Sequence, residues 1–217
     1  VYDPYGRGYS DRPKAKQDKV FFINQLDELL NKLEIKKQKF DLIGYSMGGS
    51  IAAAYAAHNP NRLNKLILIA SAGVGHNLGF SAKVAKIPLF GWALFSIFFG
   101  LQHARSTKKD GDIKSSVPKV VERQLNELLY KGFLPSVLAS IKGILSKDNY
   151  EDHQALRDAN FEILAVWGDC DRIIPVSSKE ILSSWNSRIN NIVIKNGSHS
   201  LPFTHAREII DATNLSS

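Results

Sequence analysis

The chain of 217 residues predicts an α/β fold: a mostly parallel sheet flanked by helices, with a helical lid inserted into it. Three observations carry that expectation. Apolar runs of strand length alternate with helical patterns through residue 73 and again from 158, as in parallel strands joined by helical crossovers. The stretch between, 74–157, holds helical patterns and no convincing strand. Finally, the apolar run Phe40–Tyr45 passes through Gly44-Tyr45-Ser46-Met47-Gly48 into the small-residue helical run 51–57. A strand that turns sharply into a helix is the context in which Gly-x-Ser-x-Gly acquires chemical meaning. The expected organisation is therefore a first core segment, 1–73, a helical lid or cap, 74–157, and a second core segment, 158–217.

Taken in order, Val1–Asp3 read as the tail of a strand, followed by a Gly-, Pro-, Asp- and Ser-rich loop through Pro13. From Gln17 to Glu34, residues such as Phe21, Ile23, Leu26, Leu30 and Leu33 recur at helical spacing. Lysines at 36, 37 and 39 suit the C-terminal end of that helix. The helix after the serine turn, about 48–58, stops at Asn59-Pro60. Leu66–Ala70 is continuously apolar, as expected of a parallel strand covered on both faces. Further strands are expected at 161–167 and 191–195, with helices at 177–185 and from about Thr204.

The lid segment contains Ile87–Leu101, an uncharged apolar run of 15 residues interrupted by Pro88, Gly91 and Gly100. It falls short of the roughly 20 residues that span a bilayer. Two readings stand: a lid helix that lines an apolar pocket or rests on lipid at an interface, or a buried core helix. On the first reading Phe90, Trp92 and Phe95, with Tyr45 from the serine turn, are candidate substrate-binding residues. Val120–Leu145 continues helical, with interruptions at Gly132 and Pro135.

Composition is that of an ordinary soluble globular protein, 44% hydrophobic and 23% charged. Cys170 is the one cysteine, which excludes an internal disulfide framework and a multi-cysteine metal site and fits a reducing, cytoplasmic compartment. The net charge of +7 is spread over helix faces and loops, with no basic stripe interleaved with aromatics, so nucleic acid is not expected as a partner. Attraction to an anionic membrane surface is compatible with that charge, which leaves peripheral contact through the lid as an expectation. No signal peptide is visible, and the chain begins at Val1 rather than Met. No cofactor and no metal are expected.

Chemistry centres on Ser46. The sharp turn forces it toward a sparsely allowed backbone conformation, at a cost of roughly 1–3 kcal/mol. Gly44 and Gly48 are expected where any Cβ would collide with the folded-back chain. A serine hydroxyl is a poor nucleophile at pH 7 and needs a base, itself oriented by a third group. Both partners should sit just past the C-terminal ends of strands. Two loops qualify: Gly168-Asp169-Cys170-Asp171-Arg172-Ile173-Ile174-Pro175, and Asn196-Gly197-Ser198-His199-Ser200. The order Ser, Asp, His along the chain is that of a nucleophile-elbow hydrolase, and differs from the chymotrypsin and subtilisin orders. Histidines 58, 76, 103, 153 and 205 are weaker candidates for the base. His76 leads them, because its loop follows strand 66–70. Cys170 lacks its own histidine partner.

These residues resemble the α/β-hydrolase fold family, in its serine esterase and monoacylglycerol-lipase-like group, from Asp3-Pro4-Tyr5-Gly6-Arg7-Gly8-Tyr9-Ser10-Asp11 to the His199 loop. The pattern Gly-x-x-Asp-x-Ile-x-Pro matches Gly168, Asp171, Ile173 and Pro175. The resemblance implies Ser46 as nucleophile, His199 as general base and Asp171 as acid, with Asp169 the alternative. It implies Met47 N–H as one oxyanion donor. The second donor, strands one to three and most of the fourth belong, by the same resemblance, upstream of Val1. The expectation is thus a truncated hydrolase, inactive or unstable alone, since losing one donor costs about 10²–10³ in turnover. Serine at the turn disfavours the epoxide hydrolases and haloalkane dehalogenases of the same appearance. Ester hydrolysis on an apolar acyl substrate is the leading reading. A carbon–carbon bond hydrolase with the same triad and a non-catalytic scaffold are the alternatives.

Overall fold

Continuous apolar runs pair best where both faces are covered, and four of them form one parallel sheet. In the computed structural model, which describes residues 1–35, 38–75, 91–110 and 115–215 (backbone only at 91–93 and 109–110), the strands are β1 (Phe40–Tyr45), β2 (Leu63–Ile69), β3 (Glu162–Gly168) and β4 (Asn190–Ile194). They lie in the order β1-β2-β3-β4, every neighbouring pair parallel. Tyr45 stands opposite Ile69, Ile69 opposite Val166 and Gly168 opposite Ile194. The C-terminal ends of all four strands therefore share one sheet edge, where open parallel sheets place their sites.

The strands expected at 40–45, 66–70, 161–167 and 191–195 are present, with small shifts at the ends. β2 starts three residues earlier than its apolar run, because Lys65 pairs in register with Glu162 and its ammonium lies 3.1 Å from the Glu162 carboxylate. Val1–Asp3 form no strand. Asp3 instead closes a loop, its carboxylate accepting from Tyr9 N–H and its carbonyl from the Ser10 hydroxyl.

The helices follow in chain order. α1 (Lys19–Lys32) precedes β1, and α2 (Met47–His58) packs against β1 and β2. Residues Gly49–Ala56 of α2 are buried without a break. Its alanines keep the helix thin, as a helix apolar on every side requires. α3 (Gly91–Asp110), α4 (Val120–Glu127), α5 (Phe133–Lys142) and α6 (Tyr150–Ala155) fill the long β2–β3 connection. α7 (Ser178–Trp185) joins β3 to β4, and α8 (Leu201–Thr204) and α9 (Ala206–Thr213) end the chain. Gly132, at φ +87°, separates α4 from α5 as expected. Pro135 instead lies in the first turn of α5, where its missing N–H leaves no helical bond unmade.

Contacts divide the chain into two compact units, Val1–Phe22 with Leu78–Ser146, and Ile23–Asn77 with Lys147–Ser217. The division differs from the expected segments at both ends of the long helical insertion: residues 1–22 cluster with the helices of 78–146, and 147–157 with the sheet. Side-chain chemistry explains the first difference. Arg7 donates to the Ser140 hydroxyl, Gly8 N–H to the Glu127 carboxylate, and Ser140 to the Gln17 side chain. Burial pulls the Arg7 guanidinium down to about 10, with nearby Glu127 opposing that loss of charge. The helical unit has its own core of Phe95, Phe133 and Val137. On its surface α3 exposes Ile97, Phe98 and Leu101. No helix among the described residues is long and apolar enough to cross a membrane.

In the sheet unit, Ile67, Ile69, Leu164, Val166 and Ile194 pack with Leu201 and Ile209 from the C-terminal helices. A buried polar knot explains why 147–157 belong here. Ser50 of α2 donates to Asn149 Oδ1 at 2.6 Å, Asn149 Nδ2 donates to Asp152 at 2.6 Å, and Asn149 N–H donates to Gly73 O at 2.8 Å. All three side chains are buried. Asn149→Ala strips a two-sided bridge and leaves buried polar groups short of a partner, so it should cost about 2–3 kcal/mol. Chemical denaturation checks this; a loss below about 0.5 kcal/mol would show that the knot does not hold α2.

Candidate active site

Ser46 occupies the step from β1 to α2 with φ 53° and ψ −120°, a conformation rare for a residue with a Cβ. Four backbone bonds impose it. Ser46 N–H donates to Ile69 O at the end of β2, and Ser46 O accepts from the N–H groups of Gly49, Ser50 and Ala72. The close approach expected at both flanking glycines occurs at one of them. A Cβ on Gly44 would lie 2.3 Å from Gly48 O, whereas one on Gly48 would meet nothing within 4 Å. The chain folds back over Gly44 only, so the expectation for Gly48 is corrected.

The acid loop follows β3. Asp171 has a fully buried side chain, and both carboxylate oxygens are engaged. Oδ1 accepts from the N–H groups of Ile173 and Ile174 at 2.8 and 2.9 Å, and Oδ2 lies 2.8 Å from His199 Nδ1. An aspartate bonding amides two and three residues on is ordinary turn chemistry, and here it fixes the carboxylate toward the histidine. Asp169 is exposed instead, and its hydrogen bond to Cys170 pushes that thiol up from its ordinary range. A thiol held protonated is a poor nucleophile.

The histidine loop follows β4 and is locked onto the acid loop. Cys170 N–H donates to Gly197 O at 2.9 Å, and a Cβ on Gly168 would sit 2.2 Å from that same oxygen. Glycine at 168 is thus what lets the two loops touch. From there His199 presents Nε2 at 3.0 Å from Ser46 Oγ. Ser46, His199 and Asp171 form one chain of contacts, 3.0 then 2.8 Å, within a single compact unit. Such an arrangement allows a proton to move from hydroxyl to imidazole while a buried carboxylate fixes the tautomer.

The remaining expected residues fall as follows. Met47 is the first residue of α2, directly after Ser46. The Tyr45 ring lies against His199 and Phe203. Phe95 is buried in the core of the helical unit. Trp92 is described by its backbone alone, in α3, and Phe90 and His76 lie outside the described residues. Of the other histidines, His205 bonds Thr204, His103 stacks on Phe99 with its pKa lowered by burial, and His153 is buried beside Trp185. Among the described residues, no group of three or more His, Cys, Asp or Glu could hold a metal ion. Sequence reading passed over the Ile173 and Ile174 amides, although the Asp-x-Ile-Ile spacing carries their signal. It also passed over Asn149 and Ser50, which carry none.

Comparison with known proteins bears on the fold and the family. The 2-hydroxymuconate semialdehyde hydrolase of Pseudomonas sp. (strain CF600) is 29% identical over 94% of this chain and 70% of its own length. The human monoacylglycerol lipase ABHD6 is 25% identical over 87% of this chain, which spans 59% of the human protein's length. Among solved structures, a bromoperoxidase from Bacillus anthracis superposes with a TM-score of 0.77 at 21% identity, covering 99% of this chain and 79% of that one. An esterase from Thermogutta terrifontis does so at 0.75, also at 21% identity, covering 98% and 76%. At that identity the two structures speak for the fold alone. The alpha/beta hydrolase fold family matches residues 1–206, and the chain belongs to it.

Proposed function

We propose that this chain carries the catalytic centre of a serine hydrolase that cleaves carboxylic esters with apolar acyl groups. The observation that supports it is the unbroken contact from Asp171 through His199 to Ser46. In this reading Ser46 Oγ attacks the ester carbonyl carbon as His199 Nε2 accepts its proton, and Asp171 steadies the imidazolium. The tetrahedral oxyanion is met by the Met47 N–H at the start of α2. Collapse expels the alcohol, which takes the proton back from His199. Water, deprotonated by His199, then releases the carboxylic acid from the acyl-serine and restores Ser46. The name of the human relative, a monoacylglycerol lipase, supports an ester with an apolar acyl chain. The name of the Pseudomonas relative, a hydrolase of 2-hydroxymuconate semialdehyde, keeps carbon–carbon bond hydrolysis as a second reading. The exposed Ile97, Phe98 and Leu101 on α3, followed by exposed Arg105 and Lys108, support peripheral contact of that helix with an anionic lipid surface.

Two experiments test these readings. A fluorophosphonate probe should label the protein, and Ser46→Ala should abolish labelling with at least a 10³-fold loss of esterase turnover. Asp171→Asn should lower kcat by roughly 10⁴-fold with little change in KM, because the imidazole tautomer is no longer fixed. Turnover that survives Ser46→Ala would end the serine reading. A second experiment offers p-nitrophenyl esters from acetate to palmitate, the long ones in anionic vesicles. Rates should rise with chain length and the protein should sediment with the vesicles. Best turnover on acetate would contradict an apolar acyl site, absence from the vesicle pellet would contradict lipid contact, and turnover of 2-hydroxymuconate semialdehyde with none of the esters would favour the second reading.

A further inference from the structure

Tyr45, expected from the sequence to touch substrate, has its side chain committed elsewhere. Its hydroxyl donates to the main-chain carbonyl of His199 at 2.8 Å. Its ring lies 5.3 Å from the His199 imidazole, tilted by 39°, and meets Phe203 of α8 edge-on at 6.0 Å. Tyr45 is the last residue of β1 and is covalently joined to Ser46. The contacts therefore close a ring: Ser46 to Tyr45 through the peptide bond, Tyr45 to the His199 carbonyl, and His199 Nε2 back to Ser46 Oγ.

That ring supplies something the acid cannot. Asp171 holds the imidazole at Nδ1 only, which leaves the far nitrogen free to swing about that pivot. Fixing the histidine's own backbone removes the swing, and the rigid end of β1 is the element that sets where Ser46 stands. We infer that Tyr45 is a positioning residue that ties His199 to the same strand end as Ser46 and so sets the distance between base and nucleophile. This inference rests on the serine-hydrolase reading. Misplacement of reacting groups by about 1 Å can cost as much as 10²-fold in rate, so a tether of this kind acts on turnover rather than on substrate binding.

The test compares Tyr45→Phe, which keeps the ring and removes the hydroxyl, with Tyr45→Leu, which removes both. Ser46→Ala is the control. Tyr45→Phe should lower kcat about three- to tenfold, the range of one lost hydrogen bond. KM should stay within about twofold, Tm should be unchanged, and fluorophosphonate labelling should slow in proportion to kcat. Tyr45→Leu should fall about 30-fold or more, since the ring contact goes as well. Parental kcat and labelling rate in Tyr45→Phe would overturn the inference, as would a change confined to KM, which marks a substrate contact. A Tm drop in Tyr45→Leu leaves the Phe variant as the deciding measurement. If Ser46→Ala still labels, the serine reading falls and this inference with it. If Ser46→Ala is dark while Tyr45→Phe is parental, only the role of Tyr45 falls.

Discussion

The sheet unit depends on how the end of β2 grips the strained serine. Ser46 adopts φ 53°, a conformation that costs roughly 1–3 kcal/mol and persists only where the surroundings impose it. The Ile69 carbonyl at the end of β2 and the Ala72 amide in the turn after it do so, one on each side of the Ser46 peptide units. Because β2 is pinned between β1 and β3 in parallel register, the strain is carried by the whole sheet rather than by the turn. The buried knot of Ser50, Asn149 and Asp152 sits one turn further along α2 and stops the helix from relaxing away from that grip.

The same logic extends to the other two loops. Asp171 is held by two amides of its own loop, and the His199 loop is held by the approach of Gly168 to Gly197 and by Tyr45. Each of the three side chains is thus fixed through backbone, and side-chain freedom is spent only on the final 2.8 and 3.0 Å contacts. In the proposed mechanism such preorganisation lets proton transfer proceed without reorganising the site.

Much of this was legible in the sequence, and the boundary is physical. The four strands, the strand-to-helix serine turn and the order Ser46, Asp171, His199 are local patterns placed by strand ends, and local patterns survive in a single sequence. The Asp171 turn was equally legible, because its partners lie two and three residues away. What could not be read were contacts between side chains distant in the chain. Asn149 and Ser50 are ordinary polar residues until folding brings them together, and the hydroxyl of Tyr45 reaches a carbonyl 154 residues on. The gathering of residues 1–22 with the helices of 78–146 belongs to the same class, since it rests on Arg7, Gly8 and Gln17 meeting α4 and α5. Gly48 failed differently: the Gly-x-Ser-x-Gly pattern treats both glycines alike, while the chain crosses only one.

The central claim is that the strained Ser46, and no other residue, is the nucleophile activated by His199. Peptide mapping of the protein after reaction with a phosphonate ester tests it most directly. The account predicts one adduct, on Ser46, that is lost when His199 is replaced by glutamine. An adduct on Cys170 or on another serine, or one on Ser46 that forms at the parental rate without His199, would contradict it.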